Sequence, residues 1–378
     1  MRQIFLHAGE PKTGTSAIQL FLRENREALE QLGYLVPNAG SSPSGNHTGL
    51  IEAILGKPVP PAYSQCVKAF QQEVIAHPAE NVVVSAECLD HFFRSDEKRD
   101  QILSFFRDLG LAMTVVIFVR PDAEALSSAY AEQVKSFLQD ITLPEFVARR
   151  RRYVHLLKLA QLPGIQTIFR PYNAEVRSTG AAKEFLRVIG LSEDALQRFG
   201  QERRVNESVG PIAVAAAREI RRRIQQSGLH PTDQQRLALK AELFRLTQEE
   251  EPEEPFYGVD AQLLQEIERR VAEVREKFAQ VAWGKSWQAV FASDKAAAKQ
   301  CNAFDAATAE PAALQKYERI TAALWSAAQR VMNDPSHAKR YSWDRLRAHV
   351  GCLAAIAHLL VEFLDDEILD MLGDLISA

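Results

Sequence analysis

The chain has 378 residues, 46% hydrophobic and 25% charged, with a formal net charge of −4. These values describe an ordinary globular chain with room for one large domain or two, and they exclude disorder as its main state. A protein that binds nucleic acid in general usually shows a basic excess, and none is present.

The first strand-like run is Gln3–Ala8, and others follow at Asn81–Ala86, Met113–Val119 and Ile165–Arg170. Each is short, rich in Val, Ile or Phe, and separated from the next by helix-period segments. In Thr15–Leu32, Ile18, Phe21, Leu22, Leu29 and Leu32 share one helical face. In Arg99–Leu109, Ile102, Phe105, Phe106 and Leu109 do the same. This alternation predicts an α/β fold: a buried parallel sheet flanked by helices, with ligands held beyond the carboxyl ends of the strands. After about Pro211 the strand signals stop. Ile212–Gln225, Gln234–Thr247 and Gln262–Ala279 read as helices, interrupted by the acidic run Glu249 to Pro255, which reads as a solvated linker. From about Asp294 to Ala378 the pattern is wholly helical, with Leu314–Met332 and Trp343–Ile376 as long segments. The expected division is therefore 1–292, an α/β domain helical from about 211, and 293–378, a helical C-terminal extension.

No apolar run reaches the about 18 residues of a membrane span. Neither a signal-like segment at the N-terminus nor a CxxC pair among Cys66, Cys88, Cys301 and Cys352 is present, so reduced thiols and a cytoplasmic location are expected.

The first strand runs into Gly9-Glu10-Pro11-Lys12-Thr13-Gly14-Thr15-Ser16. The plain reading is a tight strand-to-helix turn, and the sharper one is a phosphate cradle. Gly14 lets backbone approach a ligand, and the Thr15 and Ser16 amides open a helix whose positive end attracts anions. Thr13, Thr15 and Ser16 add hydroxyls. The two glycines have the spacing of a nucleoside-triphosphate loop, but Thr15 stands where its lysine belongs, and the one lysine, Lys12, is at the crest. Such a loop suits a single phosphate better than the β,γ-pair of a triphosphate.

The third strand ends at Val119 and is followed by Arg120-Pro121, with Ser128 on the next helix. Arg120 offers a bidentate fork for phosphate oxygens and Ser128 a further hydroxyl. Tyr130 and Lys135, further along, read as packing and a solvated charge.

Pro11-Lys12-Thr13-Gly14-Thr15-Ser16 closely resembles the 5'-phosphosulfate loop of sulfotransferases that use 3'-phosphoadenylyl sulfate (PAPS). The Arg120/Ser128 element is similar to the family's 3'-phosphate element. The segments Thr167 to Leu191 and Arg203 to Pro211 resemble the later part of prokaryotic sulfotransferase-like proteins, so the resemblance covers roughly residues 1–290. It implies a P-loop-like fold and PAPS as co-substrate, bound through Lys12, Thr13, Gly14, Thr15, Ser16, Arg120 and Ser128. Arg204, Asn206 and Ser208 are further polar residues of the last segment. A hydroxyl- or amine-bearing acceptor, carbohydrate or small molecule, is implied, and no metal.

Transfer of a sulfuryl group needs a base for the acceptor's proton. Glu87, just past the second strand, and His47, in the glycine- and serine-rich segment Ala39 to Leu50, are the two candidates beside Lys12 as the catalytic cation. His7 reads as a core or cofactor-edge residue and His91 as a weaker candidate. The basic runs Arg149–Arg152 and Arg218–Arg223 read as solvated helix faces or as contacts for an anionic acceptor, and the C-terminal helices as a cover or a homo-oligomer interface. Two rivals stand beside this reading. One is a nucleotide or small-molecule kinase, opposed by Thr15 in the lysine position and by the absence of an aspartate closing the second strand. The other is a non-catalytic nucleotide-binding scaffold.

Overall fold

The computed structural model of the chain describes residues 2–10, 12–150, 153–200, 202, 208–295 and 299–333. Five strands, β1 (Gln3–His7), β2 (Tyr34–Leu35), β3 (Asn81–Ser85), β4 (Ala112–Val119) and β5 (Gln166–Pro171), form one parallel sheet in the order β2-β3-β1-β4-β5. Alternate residues of a strand point to opposite faces, and here both faces are apolar. Ile4, Leu6, Val82, Val84, Val115 and Ile117 belong to one core, and Phe5, Val83, Val116 and Phe118 to the other.

The helix after β1, Thr15–Glu24, covers the second face through Ile18, Phe21 and Leu22, where it meets Phe185 and Leu186. The longer helix between β3 and β4, Asp96–Asp108, covers the first face through Ile102, Leu103 and Phe106. Chain leaving neighbouring strands for opposite faces opens a crevice at their carboxyl ends. In this sheet that place is the end of β1, which carries the glycine-bearing loop.

The four expected strands are present to within a residue or two, and β2 is an addition, too short for any periodicity to register. The expected helix over Thr15–Leu32 is two helices. Asn25 ends the first, its side-chain amide and its backbone N–H both donating to the Phe21 carbonyl, and Arg26–Gln31 forms the second.

The chain divides differently from the expected 1–292 and 293–378. One compact unit is Met1–Asp122, Arg151–Val205 and Glu268–Ala298, and the other is Ala123–Arg150, Asn206–Ile267 and Lys299–Ala378. The physical reason lies in the apolar residues of the third piece: Phe278, Ala279, Trp287 and Phe291 are part of the sheet's own core. The second unit is helical among its described residues. Pro311–Asn333 packs there against Pro211–Gln226 and Asp233–Gln248, and the last of these starts with a capping box of Thr232 and Gln235. The acidic run is not a free linker: Glu253 accepts the Ile212 amide and pairs with Lys316, and Glu250 pairs with Arg319. Residues 299–310, expected to be helical, are not. The second expected long helix, Trp343–Ile376, lies outside the described residues.

Candidate functional site

The loop after β1 is shaped by main chain. Ala8 continues the ladder by donating to the Val116 carbonyl at 3.0 Å. A Cβ on Gly9 would lie 1.9 Å from the Thr15 methyl, so only glycine lets the helix start fold back over the strand end. Thr13 is fully buried and its hydroxyl donates to the Glu10 carbonyl at 2.6 Å. Two residues are left-handed, Lys12 at φ 69° and Gly14 at φ 83°. For the lysine that conformation costs roughly 1–2 kcal/mol, strain of the kind that gathers at functional sites. A Cβ on Gly14 would sit 2.6 Å from that of Ala181. Thr15 and Ser16 are buried at the first turn of the helix, and Gly14 gives that turn no side-chain cap. The opening amides and the dipole therefore favour an anion there. Glu10, buried in the same turn, adds a carboxylate that the sequence reading passed over.

Arg120 stands at the carboxyl end of β4. Its guanidinium donates to the Lys12 carbonyl at 3.1 Å and lies 5.9 Å from the centre of the Tyr172 ring. Tyr172 donates its N–H to the Val119 carbonyl at 2.7 Å and also lines the space beside Gly14. Lys12 and Arg120, far apart in sequence, thus meet at one edge of the sheet. Ser128 is half-buried on the helix Asp122–Lys135, in the part that belongs to the second unit. In that unit Tyr130 is buried and donates to the Ile141 carbonyl. Lys135 is not a solvated charge: it is buried and pairs at 2.8 Å with Glu132, which also binds Lys240 at 2.7 Å.

The end of β3 is held by side chains. Ser85 shares a 2.7 Å hydrogen bond between its hydroxyl and Nδ1 of His7. His7 is fully buried against Phe118 and Phe185, burial lowers its pKa to about 3, and its Nε2 has no partner among the described residues. His47 clamps the same serine from the other side. Its backbone N–H donates to the Ser85 carbonyl at 2.8 Å, and its Nε2–H donates to the Pro37 carbonyl at 2.9 Å. Its Nδ1 then accepts the Ser85 N–H at 3.4 Å. His47 was read as a candidate base in a glycine- and serine-rich segment; its side chain is fully buried, both ring nitrogens are engaged with backbone, and burial lowers its pKa. A ring so enclosed holds Ser85 in place.

Glu87 is half-buried and forms the N-cap of the short helix Cys88–Phe92, two residues past this clamp. On the same helix Asp90 is fully buried, accepting from His155 Nε2 at 2.9 Å and from Arg94 at 2.9 Å. Burial alone would raise the Asp90 pKa, but the Arg94 charge and the hydrogen bonds from His155 and Arg94 outweigh it and hold the carboxyl below the usual range. Burial, followed by the Arg94 charge, lowers His91 to about 4. No local pattern announces the Asp90–His155 pair, whose members are 65 residues apart.

The other polar and basic residues of the sequence reading divide. Arg204 and Asn206 lie outside the described residues, as do Arg151 and Arg152, while Ser208 is exposed in the second unit. Arg222 and Arg223 are spent on Glu219, at 2.5 and 2.7 Å. Among the described residues no helix is long and apolar enough to cross a membrane, and no three His, Cys, Asp or Glu side chains gather in a metal-holding group. Comparison with protein-family models, with curated proteins and with solved structures gives no match.

Proposed function

We propose that the chain is a PAPS-dependent sulfotransferase. The observation that carries the reading is the meeting of two anion-binding elements: Arg120 at the end of β4 bonds the carbonyl of Lys12 in a glycine-cornered loop at the end of β1. A hydroxyl residue, Thr15, stands where a triphosphate-binding loop carries its lysine.

In this reading the loop amides and Lys12 hold the 5'-phosphosulfate, and Arg120 holds the 3'-phosphate. An acceptor hydroxyl attacks sulfur in line, an O–S bond forms, and the bond between sulfur and the bridging phosphate oxygen breaks. The electron pair leaves with adenosine 3',5'-bisphosphate. Lys12 meets the charge that grows on the bridging oxygen, a preorganised interaction strongest in the transition state. Glu87, at the neighbouring strand end, contacts the acceptor. The acceptor proton goes to a base at this same edge.

The test is a pair of melting curves. Adenosine 3',5'-bisphosphate should stabilise the protein by about 2.7 kcal/mol at one hundred times its Kd, and ATP with magnesium by much less. Equal or greater stabilisation by ATP replaces this reading with that of a kinase.

A further inference from the structure

We infer that His155, held by the buried carboxylate of Asp90, is the base that takes the acceptor's proton. The inference rests on the sulfotransferase reading and completes it, because His47 is enclosed by backbone on both ring nitrogens.

The geometry begins with Asp90. It is fully buried, and its two oxygens are divided between His155 Nε2 and Arg94. A carboxylate can only accept, so Nε2 of His155 carries the hydrogen. The neutral ring then has its lone pair on Nδ1, and that atom makes no hydrogen bond among the described residues. A buried carboxylate that fixes one ring nitrogen orients the other as an acceptor and stabilises the imidazolium once it forms. Arg94 satisfies the second oxygen, so Asp90 stays ionised in its buried position.

Placement follows from the short helix. Glu87 and Asp90 are three residues apart in right-handed helical geometry, which puts their Cβ atoms about 5–6 Å apart on one face. The hydrogen bond to Asp90 thereby ties His155 to the helix that follows β3. The backbone that delivers it is tightly determined. Tyr153, two residues earlier, is left-handed at φ 72° and fully buried, and its hydroxyl donates to Asp122 at 2.7 Å. A bulky residue persists in that conformation only where its surroundings over-determine it.

In the step itself, the acceptor O–H gives its proton to Nδ1 as its oxygen bonds to sulfur. The resulting imidazolium, paired with Asp90, releases the proton to water after adenosine 3',5'-bisphosphate has left. Glu87 accepts a hydrogen bond from the acceptor and positions it.

The experiment has two arms on the full chain. Nitrogen-15 NMR of labelled histidine, with the signal assigned through His155→Gln, should show neutral His155 protonated on Nε2, and Asp90→Asn should shift the ring toward a mixture of tautomers. A ring protonated on Nδ1 in the parent protein overturns the inference. In the second arm, transfer from labelled PAPS to a panel of hydroxyl acceptors is followed in His155→Ala. Turnover should fall by about 10²–10⁴-fold, adenosine 3',5'-bisphosphate should bind as in the parent, and added imidazole should restore part of the rate. A His155→Ala protein that melts normally and keeps its rate, or one that loses it without any rescue by imidazole, overturns the role of His155 while leaving the sulfotransferase reading intact. A parent protein that neither binds the bisphosphate nor transfers sulfate overturns that reading, and the role of His155 with it.

Discussion

The two halves of the site are held by different means. At the end of β1 the glycine-bearing loop is shaped by main chain: two left-handed residues, a helix start without a side-chain cap, and an arginine that bonds a loop carbonyl. At the end of β3 the geometry depends on side chains, with Ser85 between His7 and His47, and Asp90 between His155 and Arg94. A backbone cradle fails when the chain cannot adopt its turn. A side-chain clamp fails one hydrogen bond at a time, so substitutions at the two ends should differ in size and in kind.

The largest effect is expected at Gly14. Gly14→Ala forces a side chain into left-handed backbone, roughly 1–2 kcal/mol, and overpacks it against Ala181, about 1–3 kcal/mol more. Calorimetric titration should show adenosine 3',5'-bisphosphate affinity nearly lost. Binding at parental strength would show that the anion site does not depend on this turn.

Arg120→Ala comes next. It removes a charge-assisted contact, and about 1.5–3 kcal/mol of nucleotide binding should go with it, a loss of about tenfold or more in affinity. Turnover at saturating nucleotide should change much less, because the 3'-phosphate does not change during the reaction. Unchanged affinity would remove Arg120 from the site.

The clamp on β3 has a signature in pH. The pKa of His7 is about 3 in the folded chain against an ordinary 6.5, and that of His47 is also lowered. Below about 6.5 the unfolded chain takes up protons that the folded chain refuses. This contribution to stability is therefore complete above pH 6.5 and is lost as pH falls toward 3. Each histidine adds up to about 1.36 kcal/mol per pH unit to that slope. Denaturant titrations at several pH values should show His7→Asn with a shallower acid limb by up to that amount. An identical slope in parent and variant would contradict the burial of a neutral ring at this position.

The smallest effect is expected from Ser85→Ala, which removes one neutral hydrogen bond, about 0.5–1.5 kcal/mol of stability. It should leave bisphosphate binding untouched and lower turnover through Glu87. Weaker nucleotide binding in this variant would show that the two strand ends are not separable.

This contrast also explains what could be read before the fold was known. Gly9, Lys12, Gly14, Thr15 and Ser16 lie within one short stretch, and the turn they form follows from backbone geometry that such a stretch encodes. The four longer strands were legible for the same reason, as runs of β-branched residues buried on both faces. The burial of His47 was not legible because its neighbours, Gly45 and Ser44 among them, have loop composition, whereas its environment is made by Pro37 and Ser85. Asp90 and His155 were passed over because nothing local marks a pair joined across 65 residues. The division at 292 was drawn without the return of Phe278, Trp287 and Phe291 to the sheet's core, a long-range packing event.

The central claim is that this loop carries a sulfuryl donor and that Lys12 acts on its leaving group. The most direct measurement is transfer from labelled PAPS to a panel of hydroxyl acceptors, by the parent chain and by Lys12→Ala, with kcat and nucleotide affinity determined separately. An interaction made mainly in the transition state appears in kcat. The account therefore predicts label transfer by the parent, a fall in kcat of about 10²–10³-fold in Lys12→Ala, comparable with loss of one oxyanion donor, and a much smaller loss of bisphosphate affinity. Transfer by Lys12→Ala at the parental rate, or a parent chain that binds PAPS and moves its sulfuryl group to none of the acceptors, would contradict it.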